Sequence, residues 1–149
     1  MGKTFKSWSE IESYLKKQID DVLNNEVANV VKDQIIESVD EVVYDAGEPV
    51  YYQRRGFGDG SLGLGGRSQM EHTVSNGLLE VIDNAKAQKG WDNGKSLAEN
   101  IEYGYGDKYQ WYNQPRPFIE HARESLKKNK NHVEMMEEGL EKRGLKVVK

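Results

Sequence analysis

The chain has 149 residues, and its 33 Leu, Ile, Val and Phe make up 22% of them, enough apolar material for a single domain over 1–149 with a thin core and too little for two. Its 25 acidic and 21 basic side chains leave a net charge of −4, which excludes a broadly basic nucleic-acid coat and an acidic disordered tail. There is no cysteine, which excludes disulfides, thiol catalysis and cysteine-ligated metal centres and fits a reducing compartment.

The first element is the plainest. Apolar residues recur at Trp8, Ile11, Leu15, Ile19, Val22, Val27, Val30, Val31, Ile35, Val39 and Val42, the three-to-four spacing of one helix face. Ser7 with Glu10 fits a capping box, and Gly47 and Pro49 stop the pattern. The spacing therefore predicts a helix over 8–44, roughly 55 Å long if unbroken at 1.5 Å per residue. The Asn24-Asn25 pair offers a break as the competing reading, since asparagine favours caps and turns. Trp8 to Asp45 carries ten acids against three lysines, −7, which leaves +3 for the rest of the chain. The helix reads as an acidic rod with one apolar stripe, too long for the other residues to cover.

A glycine-rich segment follows, opening at Tyr52-Gln53-Arg54-Arg55 and holding six glycines in eleven positions from Gly56 to Gly66. That composition predicts a mobile surface loop or assembly arm. Arg54, Arg55 and Arg67 at its ends suit contact with phosphate or with the acidic face of a partner, such as the first helix of a neighbouring copy. Met70, His72 and Val74 then alternate with Glu71 and Thr73, and Leu79, Val81 and Asp83 alternate with Glu80 and Ile82 across a Ser75-Asn76-Gly77 turn. This predicts a β-hairpin pairing 68–75 with 78–84. After a polar loop over 86–95, Ser96 with Glu99 repeats the capping-box spacing ahead of a short helix ending near Tyr103-Gly104.

An aromatic stretch, Tyr103, Tyr105, Tyr109, Trp111 and Tyr112, suits an interface or core better than a base-stacking platform. Pro117 suits the first turn of a final helix, in which Ala122, Leu126, Asn129, Val133, Met136 and Leu140 step 4, 3, 4, 3, 4. That is a heptad seam, expected to pack with Phe118 on the protein's own sheet and first helix, with Asn129 as its polar break. Gly144-Leu145 reads as a C-terminal cap, and Leu145 to Val148 as a short edge strand. The order gives an α+β fold: a long N-terminal helix and a C-terminal helix packed on a small antiparallel sheet, with a glycine-rich loop.

Candidate chemistry is sparse. No Gly-Lys-Ser/Thr follows the glycines and their spacing is not that of a dinucleotide fingerprint, so no phosphate cradle is expected. Of the three histidines, His121 and His132 would lie about 16 Å apart on a helix, beyond the reach of one metal, and no His-Glu-x-x-His or Gly-x-Ser-x-Gly is present. The expectation is no catalytic residue, no cofactor and no metal. No apolar run approaches the roughly 18 residues of a membrane span, and residues 1–17 lack the apolar stretch of a signal peptide, so no membrane partner and a cytosolic chain are expected.

Taken in chain order, these features resemble the small neck or tail-completion proteins of long-tailed bacteriophages, the head-tail joining family. The resemblance covers most of the chain. It rests on the acidic first helix; Tyr52-x-Arg54-Arg55-Gly56 with Gly60-Ser61-Leu62 and Ser68; Ile101-Glu102-x-Gly104; Arg116-Pro117-Phe118-Ile119; and the ending from Lys142 to Val147. The family has Arg-Thr-Gly leading quickly to a leucine, whereas this chain has Arg55 at the threonine position and extra glycines before Leu62.

The resemblance implies a non-enzymatic virion protein at the head-tail junction, present in the host cytoplasm during assembly. It would work as a homo-oligomeric ring that joins the tail to the capsid connector, contacts other neck, connector and tail proteins, and meets DNA only in the ring's lumen. The residues it would use are Arg54, Arg55, Gly56, Gly60, Leu62, Arg67, Tyr105, Trp111, Tyr112, Arg116 and Phe118. The alternative, a small nucleic-acid-binding regulator, needs a clustered basic face that this charge pattern does not supply.

Overall fold

The structure, a computed structural model, describes residues 2–44, 63–86, 94, 96–104 and 115–148. The fold is α+β: a long N-terminal helix and C-terminal helices packed with a two-stranded antiparallel sheet.

The apolar stripe does build one long rod. Ser7 caps α1 (Trp8–Val22), its Oγ accepting from the Glu10 amide at 3.2 Å, while Glu10 accepts from the Lys6 amide at 2.8 Å. The rod continues through a wide π turn at Leu23–Val27, then α2 (Ala28–Val39), then a second wide turn at Asp40–Tyr44. The Asn24-Asn25 pair therefore marks a bulge and not a break: the backbone stays right-handed helical on both sides, and the Ala28 amide reaches back five residues to Leu23 O. A π turn holds one residue more than the α-helical hydrogen-bond ladder can take. The asparagine amides fill the gaps, Asn25 Nδ2 donating to Asp21 O at 2.8 Å and Asn29 Nδ2 to Asn25 O at 3.0 Å.

Burial is uneven along this rod. In α1 only Val22 is buried, whereas α2 buries Ala28, Lys32, Gln34, Ile35, Ser38 and Val39. The core sits at that second half, where Ile35, Val39 and Val43 meet Leu64, Met70, Phe118 and Ala122.

The hairpin joins β1 (Met70–Ser75) to β2 (Leu78–Asp83), in a register running from Met70 opposite Asp83 to Ser75 opposite Leu78. Asn76 and Gly77 both take positive φ, 51° and 76°, the two-residue turn whose twist matches that of the strands. Its inner face, with Met70 and Asp83 buried, lies on the rod. The tip is tied by the Gly77 amide donating to Asp20 Oδ1 at 2.8 Å, and the middle by His72 Nε2, 3.1 Å from both Asn24 O and Asn24 Oδ1.

The glycine run divides. Gly56 to Leu62 lies outside the described residues, but Gly63 to Gly66 is buried against α2, which corrects the expectation of a surface loop over this end. Gly65 has φ +71°, and a Cβ there would stand 3.1 Å from Val39.

Ser96 caps α3 (Leu97–Tyr103), its Oγ accepting from the Glu99 amide at 3.3 Å. The final helix is two helices, and the seam is corrected accordingly. α4 (Phe118–Asn129) ends where Lys130 adopts a left-handed conformation, φ 58° and ψ 17°, and α5 (Asn131–Lys142) begins after it. Both pieces run antiparallel to the rod, α4 along α2 and α5 along the first wide turn and the end of α1. The change of direction breaks the heptad phase: Phe118 and Ala122 are buried, Leu126, Met136 and Leu140 are half-buried, and Val133 is exposed. Asn129 is the polar break, its Nδ2 donating to Gln34 Oε1 at 2.9 Å and its Oδ1 accepting from the Asn131 amide at 3.0 Å. The chain closes as expected at Gly144, φ +80°, with the Leu145 amide on Leu140 O and the Gly144 amide on Glu141 O, a Schellman cap. Leu145 to Val148 forms no strand.

Candidate functional site

Two of the short signatures meet at one end of the described residues. The Arg116 amide donates to Ile101 O at 2.8 Å. The buried Glu102 carboxylate then takes the first free amides of α4, Oε2 accepting from Ile119 at 2.8 Å and Oε1 from Glu120 at 3.2 Å. A helix start leaves amide hydrogens without partners and carries partial positive charge, so a carboxylate from another element both caps and aims it. Ile101-Glu102 and Arg116-Pro117-Phe118-Ile119 are thus the two halves of one joint.

Beside it, Tyr44 Oη donates to Leu64 O at 3.4 Å and Arg116 Nη1 to Val43 O at 3.4 Å, closing the end of the rod. Asp83 is the third tie. Only 6% exposed, it accepts from the Gly65 amide through Oδ2 and the Ala85 amide through Oδ1, each at 2.9 Å. Burial pushes its carboxyl above the ordinary value, and the two amide hydrogen bonds oppose that shift. The backbone bonds from Leu97 to Ala85 and from Arg116 to Ile101 show what these ties do: they hold the residues flanking 45–62, 87–93 and 105–114 at the same end of the fold.

Of the expected interaction residues, Arg54, Arg55, Gly56, Gly60, Leu62, Tyr105, Trp111 and Tyr112 lie outside the described residues. Three are described. Arg67 forms an ion pair with Asp33 on α2, and together with burial its guanidinium lowers the pKa of the nearby Lys32 ammonium, burial having the larger effect. Arg116 belongs to the joint. Phe118 is fully buried, so its contacts are with the protein's own core.

Sequence reasoning missed a trio. Ser38 Oγ lies 3.0 Å from His121 Nδ1, and His121 Nε2 lies 3.5 Å from Glu41 Oε2. Ser38 has no exposed surface, so the trio ties α4 to the rod and offers no substrate a nucleophile. The four-residue spacing of Ser38 before Val42 on the apolar face could have flagged it as inward-pointing, but its partner is 83 positions away. Also missed was the Arg143 Nη1 to Glu26 Oε1 pair at 2.5 Å, which fixes the end of α5 to the first wide turn.

Clefts open between the described elements. One of about 330 Å³ between α2 and α5 is lined by Asp33, Glu37, Glu134 and Glu138 over Val30 and Met135. One of about 210 Å³ between β2, α3 and α4 is lined mainly by apolar side chains, among them Val81, Ile82 and Ile119, with Glu102 and Asp83 at its wall. Among the described residues no group of three or more histidine or acidic side chains is placed to hold a metal ion, and no helix is long and apolar enough to cross a membrane.

No curated protein and no solved structure matches the chain. A family model does, over residues 7–142, from the cap of α1 to the last residue of α5. The match spans the rod, the hairpin and both C-terminal helices, and on it the chain belongs to the phage-associated YomN family.

Proposed function

We propose that this protein is a structural morphogenesis protein of a phage or prophage, acting at the head-tail junction as a ring that joins the tail to the capsid connector. The observation that supports this reading most is the joint: the two most specific signatures of the neck-protein resemblance, Ile101-Glu102 and Arg116 to Ile119, are hydrogen-bonded to each other as one structural unit. The phage-associated family fits the same reading. So does a rod whose first half is mostly uncovered, since such a surface gains burial on assembly. On this reading the protein is not an enzyme and needs no cofactor; its partners are copies of itself and the neighbouring connector and tail proteins, and it resides in the virion after assembling in the host cytoplasm. A nucleic-acid-binding role is less favoured, because Arg123 and Lys127 on α4 are each paired with a glutamate one turn earlier.

The test is a phage carrying a disrupted gene for this chain, with lysates viewed by electron microscopy. The expected result is DNA-filled heads and complete but unattached tails, which join when the purified protein is added. Intact virions from the disrupted phage would overturn the proposal.

A further inference from the structure

The apolar stripe of α1 runs out of the body into solvent. Trp8 is 82% and Leu15 39% exposed. At about 100° per residue, Trp8, Ile11, Leu15 and Ile19 fall within an arc of about 80°. At its inner end the stripe meets the hairpin tip, where Gly77 is bonded to Asp20 and the adjacent Leu78 is 71% exposed. Trp8 and Leu15 thus stand open along one helix face, which is the mark of a surface that associates.

We propose that this stripe docks on the same stripe of a second copy, antiparallel, about a two-fold axis near Ser13. The charges select that partner and that direction. Lys3 and Lys6 precede α1, and Asp20 and Asp21 stand in its last turn. Antiparallel pairing sets each basic lead beside the other copy's acidic end and opposes the helix dipoles, whereas parallel pairing stacks like charges. It is also self-complementary, as a two-fold contact must be. Ile11 of each copy faces Leu15 of the other, and Trp8 reaches the Ile19 turn. Near the axis Glu12 is already neutralised by Lys16 at 2.8 Å, so the two symmetry-related glutamates meet without a bare repulsion. The pairing goes beyond the ring reading and does not need it, because a two-fold dimer forms in solution whether or not the protein enters a neck.

The experiment measures the mass of the full chain across a dilution series. A concentration-dependent monomer-dimer equilibrium is expected. Leu15→Glu and Trp8→Ala, both at exposed positions, should leave the melting temperature unchanged while weakening the dimer about tenfold or more, the effect of losing an interface anchor. Because the natural chain has no cysteine, single cysteines report direction. Glu12→Cys, beside the axis, should give a disulfide-linked dimer. Trp8→Cys should not, since antiparallel register sets position 8 opposite position 18, with the two copies of position 8 about 15 Å apart along the axis. A monomer at every concentration, a dimer indifferent to both stripe variants, or linkage through Trp8→Cys would overturn the proposal. Failure here leaves the head-tail test untouched, and the reverse also holds.

Discussion

Gly139 shows how tightly α5 is set against the rod. A Cβ at this position would stand 2.5 Å from Val22 Cγ1 and 2.8 Å from Glu26 Oε2. Alanine is the better helix former by about 1 kcal/mol, but overpacking costs about 1–3 kcal/mol. Gly139→Ala should therefore lower the urea midpoint with an unchanged slope, and a midpoint equal to or above the parent's would mean that α5 can slide. Asp83 makes a second prediction, with a sign. Its folded-state carboxyl is raised by burial, so the native state holds the proton more tightly than the unfolded chain does. The stabilisation from protonation is fully present below the ordinary aspartate value and is lost as pH rises through the raised one. Asp83→Asn has one acceptor for two amide donors and should destabilise by about 1–3 kcal/mol. Compared by urea midpoints at neutral and mildly acidic pH, the gap between parent and variant should widen on acidification, and a gap that narrows would contradict the burial argument. The alternation of Leu79, Val81 and Asp83 gave the inward direction of this carboxylate from the sequence alone; its partners, Gly65 and Ala85, are set by tertiary approach and leave no local trace.

Elements were legible where one periodicity ran uninterrupted. The rod, the hairpin and α3 follow from the stripe, the alternation and the caps of Ser7 and Ser96, and their turn chemistry agrees with their pattern. The last helix was misread for the complementary reason: a 4, 3, 4, 3, 4 spacing survives a helix break when the break itself sits at a polar position, here Asn129-Lys130. A lysine gives no warning that it will take a left-handed conformation, which costs a non-glycine residue about 1–2 kcal/mol. Lys130→Gly should consequently hold or raise the midpoint. Were α4 and α5 one helix, the same change would lower stability by about 1 kcal/mol, so a chemical-denaturation curve separates the two.

Across the whole molecule, stability is expected to be graded along the rod, because the core is lodged at Ile35 to Val43 and only Val22 is buried in α1. Amide exchange in dilute solution should be slowest at Ile35–Val39 and Ala122, and faster by orders of magnitude at Ile11–Leu15, where opening needs little apolar exposure. Equal protection at both ends would mean that the first half of the rod is covered even at low concentration. The candidate site was legible only as signatures. The resemblance to the neck proteins marked Ile101-Glu102 and Arg116-Phe118, but that the first caps the helix opened by the second depends on a contact across 17 positions.

The first wide turn has a further consequence. A wide turn lets a helix carry one residue more than its regular ladder holds, so removing a residue there returns the ladder to regular register, whereas the same deletion in an unbroken α-helix would turn everything before it by about 100°. Deleting Asn25 would leave the Ile35–Phe118 cluster in place, but Asn24 and Glu26 on either side of it hold His72 and Arg143, so the hairpin and α5 would both have to re-seat. The wide turn therefore acts as a coupling, through which the aim of the rod's free end depends on the hairpin and α5 that grip it. In such a protein, a change at this turn moves assembly geometry and stability together.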